Sequence, residues 1–400
     1  MKHVSKKTVS LVVLGISFIV IYLSLVETYK DNSPNNKNKI NDNNNDKNNN
    51  DLATLPEDQR KNYETRKFNL SLLLEAQRDH VISRSYDGPI SLKGCYVFLN
   101  ETTEARNRKL APLKYFYSSR CERRLPSVFL IGVKKSGTTT LAKYLDLHSQ
   151  IALANYAPIP LTNSSEMADK IHSYILSMPY ATPYQVVIAN YPGYYWLNRI
   201  SLFRLFPYLA EEPKILVILR NPVERALSDY THMYDTGQNI SDEKKLHLFQ
   251  GDVMKSTFED TVLLPNGTIN SSLSLIQKGL YAKYLSFFNA AIPRQNILIL
   301  NGNKFSTSPL IYLKETERFL GLKPFYRDDH FLYNEERGFY CANVPSRSDI
   351  TCMNKKYKGR KHPTVSGEVL KKLYDFYRPQ NRKLMESYHL STDEFEWILS

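Results

Sequence analysis

The chain has 400 residues, 42% of them hydrophobic, with 15 glycines and 20 prolines. That excludes a peptide too small or too polar to fold and leaves room for one large α/β core or two smaller ones. A formal charge of +13 and a pI near 9.3 suit a polyanionic partner, but the basic residues are scattered as well as clustered, so charge permits an acidic ligand without identifying it.

Val9–Val26 is an uncharged run rich in Val, Leu and Ile, long enough to cross a bilayer as a helix at about 1.5 Å per residue. Lys2, Lys6 and Lys7 precede it, which predicts a cytosolic tail over residues 1–8 and a translocated remainder, the topology of a type II signal anchor. A cleaved signal peptide fits less well, because the run exceeds the usual apolar region and no small-x-small site follows. Residues 27–62 include the Asn-, Asp- and Lys-rich stretch Lys30–Asp51, whose scarce apolar surface cannot offset the entropy of ordering, so a flexible stem is expected. Tyr63–Ile82 carries Phe68, Leu72, Leu73 and Ala76 at helical spacing and opens an extension, residues 63–123, that packs on the following domain, residues 124–400.

Beyond the apolar run lie six N-x-S/T sequons, at Asn69, Asn100, Asn163, Asn239, Asn266 and Asn270, and four cysteines. Both suit a lumenal, oxidising compartment and a glycoprotein. Cys341 with Cys352 would close a short loop, and Cys95 would then pair with Cys121.

From Leu125 onward short apolar runs alternate with helical stretches. Strands are expected at Ser127–Ile131, Gln185–Ala189, Lys214–Leu219 and Asn296–Leu300, with helices from Thr138, from Pro222 and over Leu310–Leu320. This is an α/β pattern, a P-loop-like parallel sheet flanked by helices, with ligands at the carboxyl ends of the strands.

Three segments carry chemistry. In Leu125–Leu145 an apolar strand enters Gly132, a basic turn and a helix opening with Thr138, Thr139 and Thr140. Unpaired N–H groups and the helix dipole make such a turn a phosphate cradle. The spacing from Gly132 to Gly137 is that of a Walker loop, yet Thr138 stands where the Walker lysine belongs and Lys134 and Lys135 sit inside the loop, so a nucleotide kinase or NTPase is disfavoured. In Lys214–Tyr230 a buried strand delivers Arg220, Pro222 starts a helix, and Ser228 lies two turns on. The third segment is HFLYNEERGFYC, then Cys352 and KKYKGRKHP.

Together these resemble the Golgi carbohydrate sulfotransferases, particularly the heparan sulfate glucosamine 3-O-sulfotransferases and the N-sulfotransferase domains. The resemblance implies the sulfotransferase fold and 3′-phosphoadenosine 5′-phosphosulfate (PAPS) as co-substrate, with no metal required. Lys135 would stabilise the leaving group, and Lys134 with Ser136, Gly137, Thr138, Thr139 and Thr140 would hold the 5′-phosphate. Arg220 and Ser228 would grip the 3′-phosphate, and Lys358, Gly359, Arg360 and His362 would close over the nucleotide. It further implies a Golgi membrane protein with its catalytic domain in the lumen and an acidic, heparan-like glycan as partner rather than nucleic acid.

The acceptor side departs from the family. Its catalytic glutamate falls at Ala157 and the neighbouring histidine at Ile159, while the lysine of a later Glu-Lys-x-Pro-x-Tyr stretch falls at Asn190. Sulfating a hydroxyl needs a base within hydrogen-bond reach of its proton. Glu166, Asp169 and His172 are the nearby substitutes, and a catalytically silent PAPS- or glycan-binding protein is the alternative reading.

Overall fold

The computed structural model describes residues 91–98, 108–111, 113–160, 167–196, 199–237, 254–343, 352 and 362–400. The chain falls into two units, Met1–Gly88 and Pro89–Ser400, and every described residue belongs to the second. The apolar run at 9–26, the stem and the 63–82 helix lie outside the described residues, as do Asn69, Asn100, Asn163, Glu166, Asn239, Lys358, Gly359 and Arg360. Among the described residues no helix is long and apolar enough to cross a membrane.

Strands β1 (Ser91–Lys93), β2 (Tyr96–Phe98) and β3 (Arg108–Leu110) form an antiparallel meander. Cys95 lies in its first turn, fully buried and bonded to Cys121. The Lys93 ammonium reaches Asp146 at 2.9 Å, tying the meander to the main domain.

That domain is built on five parallel strands: β4 (Val128–Gly132), β5 (Ile151–Asn155), β6 (Val186–Asn190), β7 (Lys214–Leu219) and β8 (Ile297–Asn301). Their order is β5-β6-β4-β7-β8. All of β4 and Ile215–Leu219 of β7 are buried, because helices cover both faces of a parallel sheet and leave no polar face to alternate with the apolar one. The chain runs outward from β4 to β5, returns at β6 and crosses to β7 and β8. This reversal around β4 and β7 is the switch point where open α/β sheets bind ligands.

Three expected strands lie one residue further toward their carboxyl ends, which makes Gly132, Asn190 and Asn301 strand-terminal residues. Strand β5 is an addition to the sequence reading: IALAN is a short apolar run whose period does not distinguish strand from helix. The helix Gly367–Tyr388, capped by the Ser366 hydroxyl, is another. It buttresses the domain through Tyr377 and Tyr388, whose hydroxyls donate to the Ile276 and Leu285 carbonyls at 2.9 and 2.8 Å. Strands β9 (Phe331–Asn334) and β10 (Phe339–Ala342) form a hairpin, and Cys341 of β10 is bonded to Cys352.

Candidate functional site

The loop after β4 and the helix Thr138–Leu145 meet the ends of β7 and β8 around one cavity of about 570 Å³. Lys134, Lys135, Ser136, Gly137, Thr138, Thr139 and Thr140 line it, together with Arg220, Ser228 and His362. Four segments that are far apart in sequence therefore share one site.

The loop is held open by its backbone. Gly137 has φ 111° and Lys135, with φ 73°, occupies a left-handed conformation that costs a residue with a Cβ. No side chain caps the helix at Gly137, so the amides of its first turn are left for a ligand. Ser136 Oγ is buried and lacks a well-formed hydrogen bond; the adjacent Tyr281 hydroxyl donates instead to the Arg220 carbonyl at 2.6 Å. Gly302, just past β8, lets two backbones touch: a Cβ there would lie 2.3 Å from the Ser136 carbonyl oxygen and 2.8 Å from that of Leu219.

On the next crossover, Asn221 Oδ1 accepts from the Val223 amide at 3.0 Å and caps the helix that Pro222 starts. Arg220 donates through Nε to Glu224 at 3.0 Å, and Glu224 also accepts from Asn303 Nδ2 at 2.9 Å, so the guanidinium is aimed before any ligand arrives. Ser228 is joined in the lining by His232, one turn further along the same helix. His362 pairs through Nδ1 with the Thr231 hydroxyl at 3.2 Å. That hydroxyl donates to the Leu227 carbonyl at 2.9 Å, so Nδ1 carries the imidazole proton and donates it. Burial, then the cations Arg220 and Lys135, hold His362 below the usual histidine value.

Sequence reasoning missed His232, Gly302, Asn303 and Arg337, all of which line the cavity. His232 was readable as one turn from Ser228, and Gly302 and Asn303 as the residues after a parallel strand. Arg337 depended on the hairpin turn between β9 and β10, which the sequence did not reveal. Lys134 lines the cavity while its ammonium is ion-paired to buried Asp229 at 2.9 Å.

The region around Ala157 and Asn190, which the resemblance assigns to the acceptor, is chemically quieter. The Ala157 amide donates to the Asn190 carbonyl at 3.2 Å, so the two positions that the resemblance marks as altered are neighbours in space. Asn190 donates through Nδ2 to Asn155 Oδ1 at 2.7 Å. The Ala157 carbonyl accepts from the Tyr194 hydroxyl, and burial, followed by the neighbouring Tyr174, pushes Tyr194 far above the usual tyrosine value. Tyr191 packs edge-on against both Tyr156 and Tyr194. Asp169 and His172 fall on the helix Met167–Leu176; His172 is exposed and is not among the residues lining the cavity.

The sulfotransferase domain family matches residues 125–389. Heparan sulfate glucosamine 3-O-sulfotransferase 3B1 of Mus musculus is 32% identical over 72% of this chain and 68% of its own length. Heparan sulfate glucosamine 3-O-sulfotransferase 3A1 of Mus musculus is 33% identical over 69% of this chain and 65% of its own. A solved sulfotransferase from Alicyclobacillus acidocaldarius, at 17% identity, covers 68% of this chain and 99% of that one with a TM-score of 0.44, a likeness too distant to bear on the site. The match across the whole β4–β8 sheet and its cavity establishes that the chain belongs to the sulfotransferase family, with heparan sulfate glucosamine 3-O-sulfotransferases among its relatives.

Proposed function

We propose that the chain transfers a sulfuryl group from PAPS to a heparan sulfate-like glycan, at a glucosamine 3-hydroxyl or amine. The observation that carries this reading is the convergence of the 134–140 loop, Arg220, Ser228 and His362 on one cavity. The residues present fit the donor: the buried Ser136 hydroxyl lacks a well-formed hydrogen bond among the described residues and the helix amides are uncapped, which suits an anion site.

When bound, PAPS supplies an activated sulfuryl group on a phosphate leaving group. Lys135 and the amides of Ser136–Thr140 stabilise the charge that develops there. Arg220 and Ser228 grip the phosphate that separates PAPS from ADP or ATP, while Glu224 keeps the guanidinium in place. Lys358, Gly359 and Arg360 are assigned to the same nucleotide, together with His362. A type II Golgi protein with this domain in the lumen agrees with the Val9–Val26 run and the two disulfides.

A second reading, a silent donor- or glycan-binding protein, is favoured by Ala157 and Asn190, which put neutral groups where the family has ionisable ones. Incubating the full-length protein with labelled PAPS and a panel of heparan and chondroitin acceptors, beside calorimetry with 3′,5′-ADP, separates the two. Label transfer supports the enzyme; binding without transfer on any acceptor supports the silent protein; no nucleotide binding removes both.

A further inference from the structure

Beneath the donor loop sits a buried charge cluster that direct ligand contact does not explain. Asp229, on the helix Pro222–Gly237, is fully buried. Three cations face it: Lys134 Nζ at 2.9 Å, Arg225 at 3.0 Å and Lys278 Nζ at 3.9 Å. Arg225 is itself fully buried and Lys278 nearly so. Burial would raise the Asp229 carboxyl, but Lys134, Lys278 and Arg225 outweigh it and hold the group well below the usual carboxylate range.

The geometry around the carboxylate is that of a brace. Arg225 donates not only to Asp229 but also to the Lys134 carbonyl at 3.3 Å, and through its other nitrogen to the Leu275 carbonyl. Lys278 donates to the Ser274 hydroxyl at 3.1 Å. Lys134 is thus held at both ends, its ammonium by Asp229 and its backbone carbonyl by Arg225, while the next residue turns into the left-handed region at Lys135. Of the two adjacent basic residues, Lys134 is the one tied to the buried carboxylate. A carboxylate buried among cations is costly to build and strongly destabilising to break, which suits a part that must not yield when an anion arrives.

We propose that Asp229 is a positioning residue for the donor loop: it fixes Lys134 as an internal strut, and with Arg225 it sets the backbone turn that presents Lys135 to the anion. This rests on the donor-binding reading above. The loop's two lysines then have separate work, and donor affinity depends on a carboxylate that never touches the donor.

The test uses the full-length protein and 3′,5′-ADP as probe. Asp229→Asn alone strands two buried cations and the half-buried Lys134 and is expected to unfold easily, so it is paired with a charge-balanced variant, Asp229→Asn with Lys278→Met. If Asp229 positions the loop, that double variant regains most of the thermal stability lost in Asp229→Asn but binds 3′,5′-ADP at least about tenfold more weakly than wild type. If Asp229 only neutralises buried charge, affinity returns with stability, and the proposal is overturned. Amine labelling of the wild type, read by mass spectrometry, needs no variant to fold. Lys135 is expected to label and to be protected by 3′,5′-ADP, while the ion-paired Lys134 labels slowly with or without it; equal labelling and equal protection of both lysines would overturn the proposal too. A wild type that binds no 3′,5′-ADP fails the donor reading and takes this inference with it, whereas wild-type binding retained in the double variant fails this inference alone.

Discussion

The proposed donor and acceptor halves of the site are built differently. On the donor half nearly every polar group is aimed by another: Glu224 holds Arg220, Asn303 holds Glu224, and Asp229 holds Lys134. On the acceptor half, Ala157, Asn155, Asn190 and the tyrosines around them are uncharged, and the buried Asn190 Oδ1 has no partner among the described residues. On the proposed assignment the two halves hang largely on different strand ends, β4, β7 and β8 for the donor and β5 and β6 for the acceptor, so one half can change while the other keeps its polar contacts.

The largest effect expected from this comparison is a gain. Ala157→Glu combined with Asn190→Lys restores an ionisable pair at positions whose backbones are already hydrogen-bonded. If a missing base limits turnover, sulfate transfer from labelled PAPS to heparan sulfate rises by about two to four orders of magnitude. An unchanged rate with 3′,5′-ADP binding intact would show that the acceptor half is limited elsewhere.

Lys135→Ala attacks the other half. Losing the loop's presented cation should lower 3′,5′-ADP affinity by about a hundredfold or more by calorimetry, with the melting temperature little changed. Full retention of binding would break the assignment of the loop as the donor's anion site. Gly302→Ala should act through packing instead: its Cβ cannot sit 2.3 Å from the Ser136 carbonyl oxygen, so the loop and the end of β8 must part. A stability loss of about 1–3 kcal/mol in thermal unfolding, with weaker nucleotide binding, is the expected outcome.

The same asymmetry governs what was legible in the sequence. Lys214–Leu219 was readable to the residue, because a strand buried on both faces writes a continuous apolar run ended by Arg-Asn-Pro. The cavity-lining loop 134–140 was readable because strand, turn and helix N-terminus follow one another locally. The Asp229 brace was not: Arg225 lies one turn away on the same helix, an i, i+4 pair that also suits a solvated face, and Lys134 and Lys278 are far off in the chain. The adjacency of Ala157 and Asn190 depended on β5 pairing with β6, a non-local contact across a strand that the apolar pattern left ambiguous.

The smallest effect, and the finest probe of the donor half, is at His362. In the ligand-free protein burial, then Arg220 and Lys135, keep its imidazole below 6.5, so it is neutral at pH 7 with its proton on Nδ1. The phosphates of a nucleoside bisphosphate in the cavity reverse that balance by favouring the imidazolium, which gains a second donor at Nε2. Binding must then take up a proton, and affinity must rise as pH falls through the interval between the lowered value of the free protein and the higher value of the complex. The phosphates of 3′,5′-ADP themselves begin to protonate near about pH 6 and oppose the trend, so the wild type has to be compared with His362→Gln at each pH. The ratio of the two affinities should be close to constant above pH 7 and grow about threefold toward pH 5.5. A ratio independent of pH would place His362 at the rim of the cavity without a role in holding the anion.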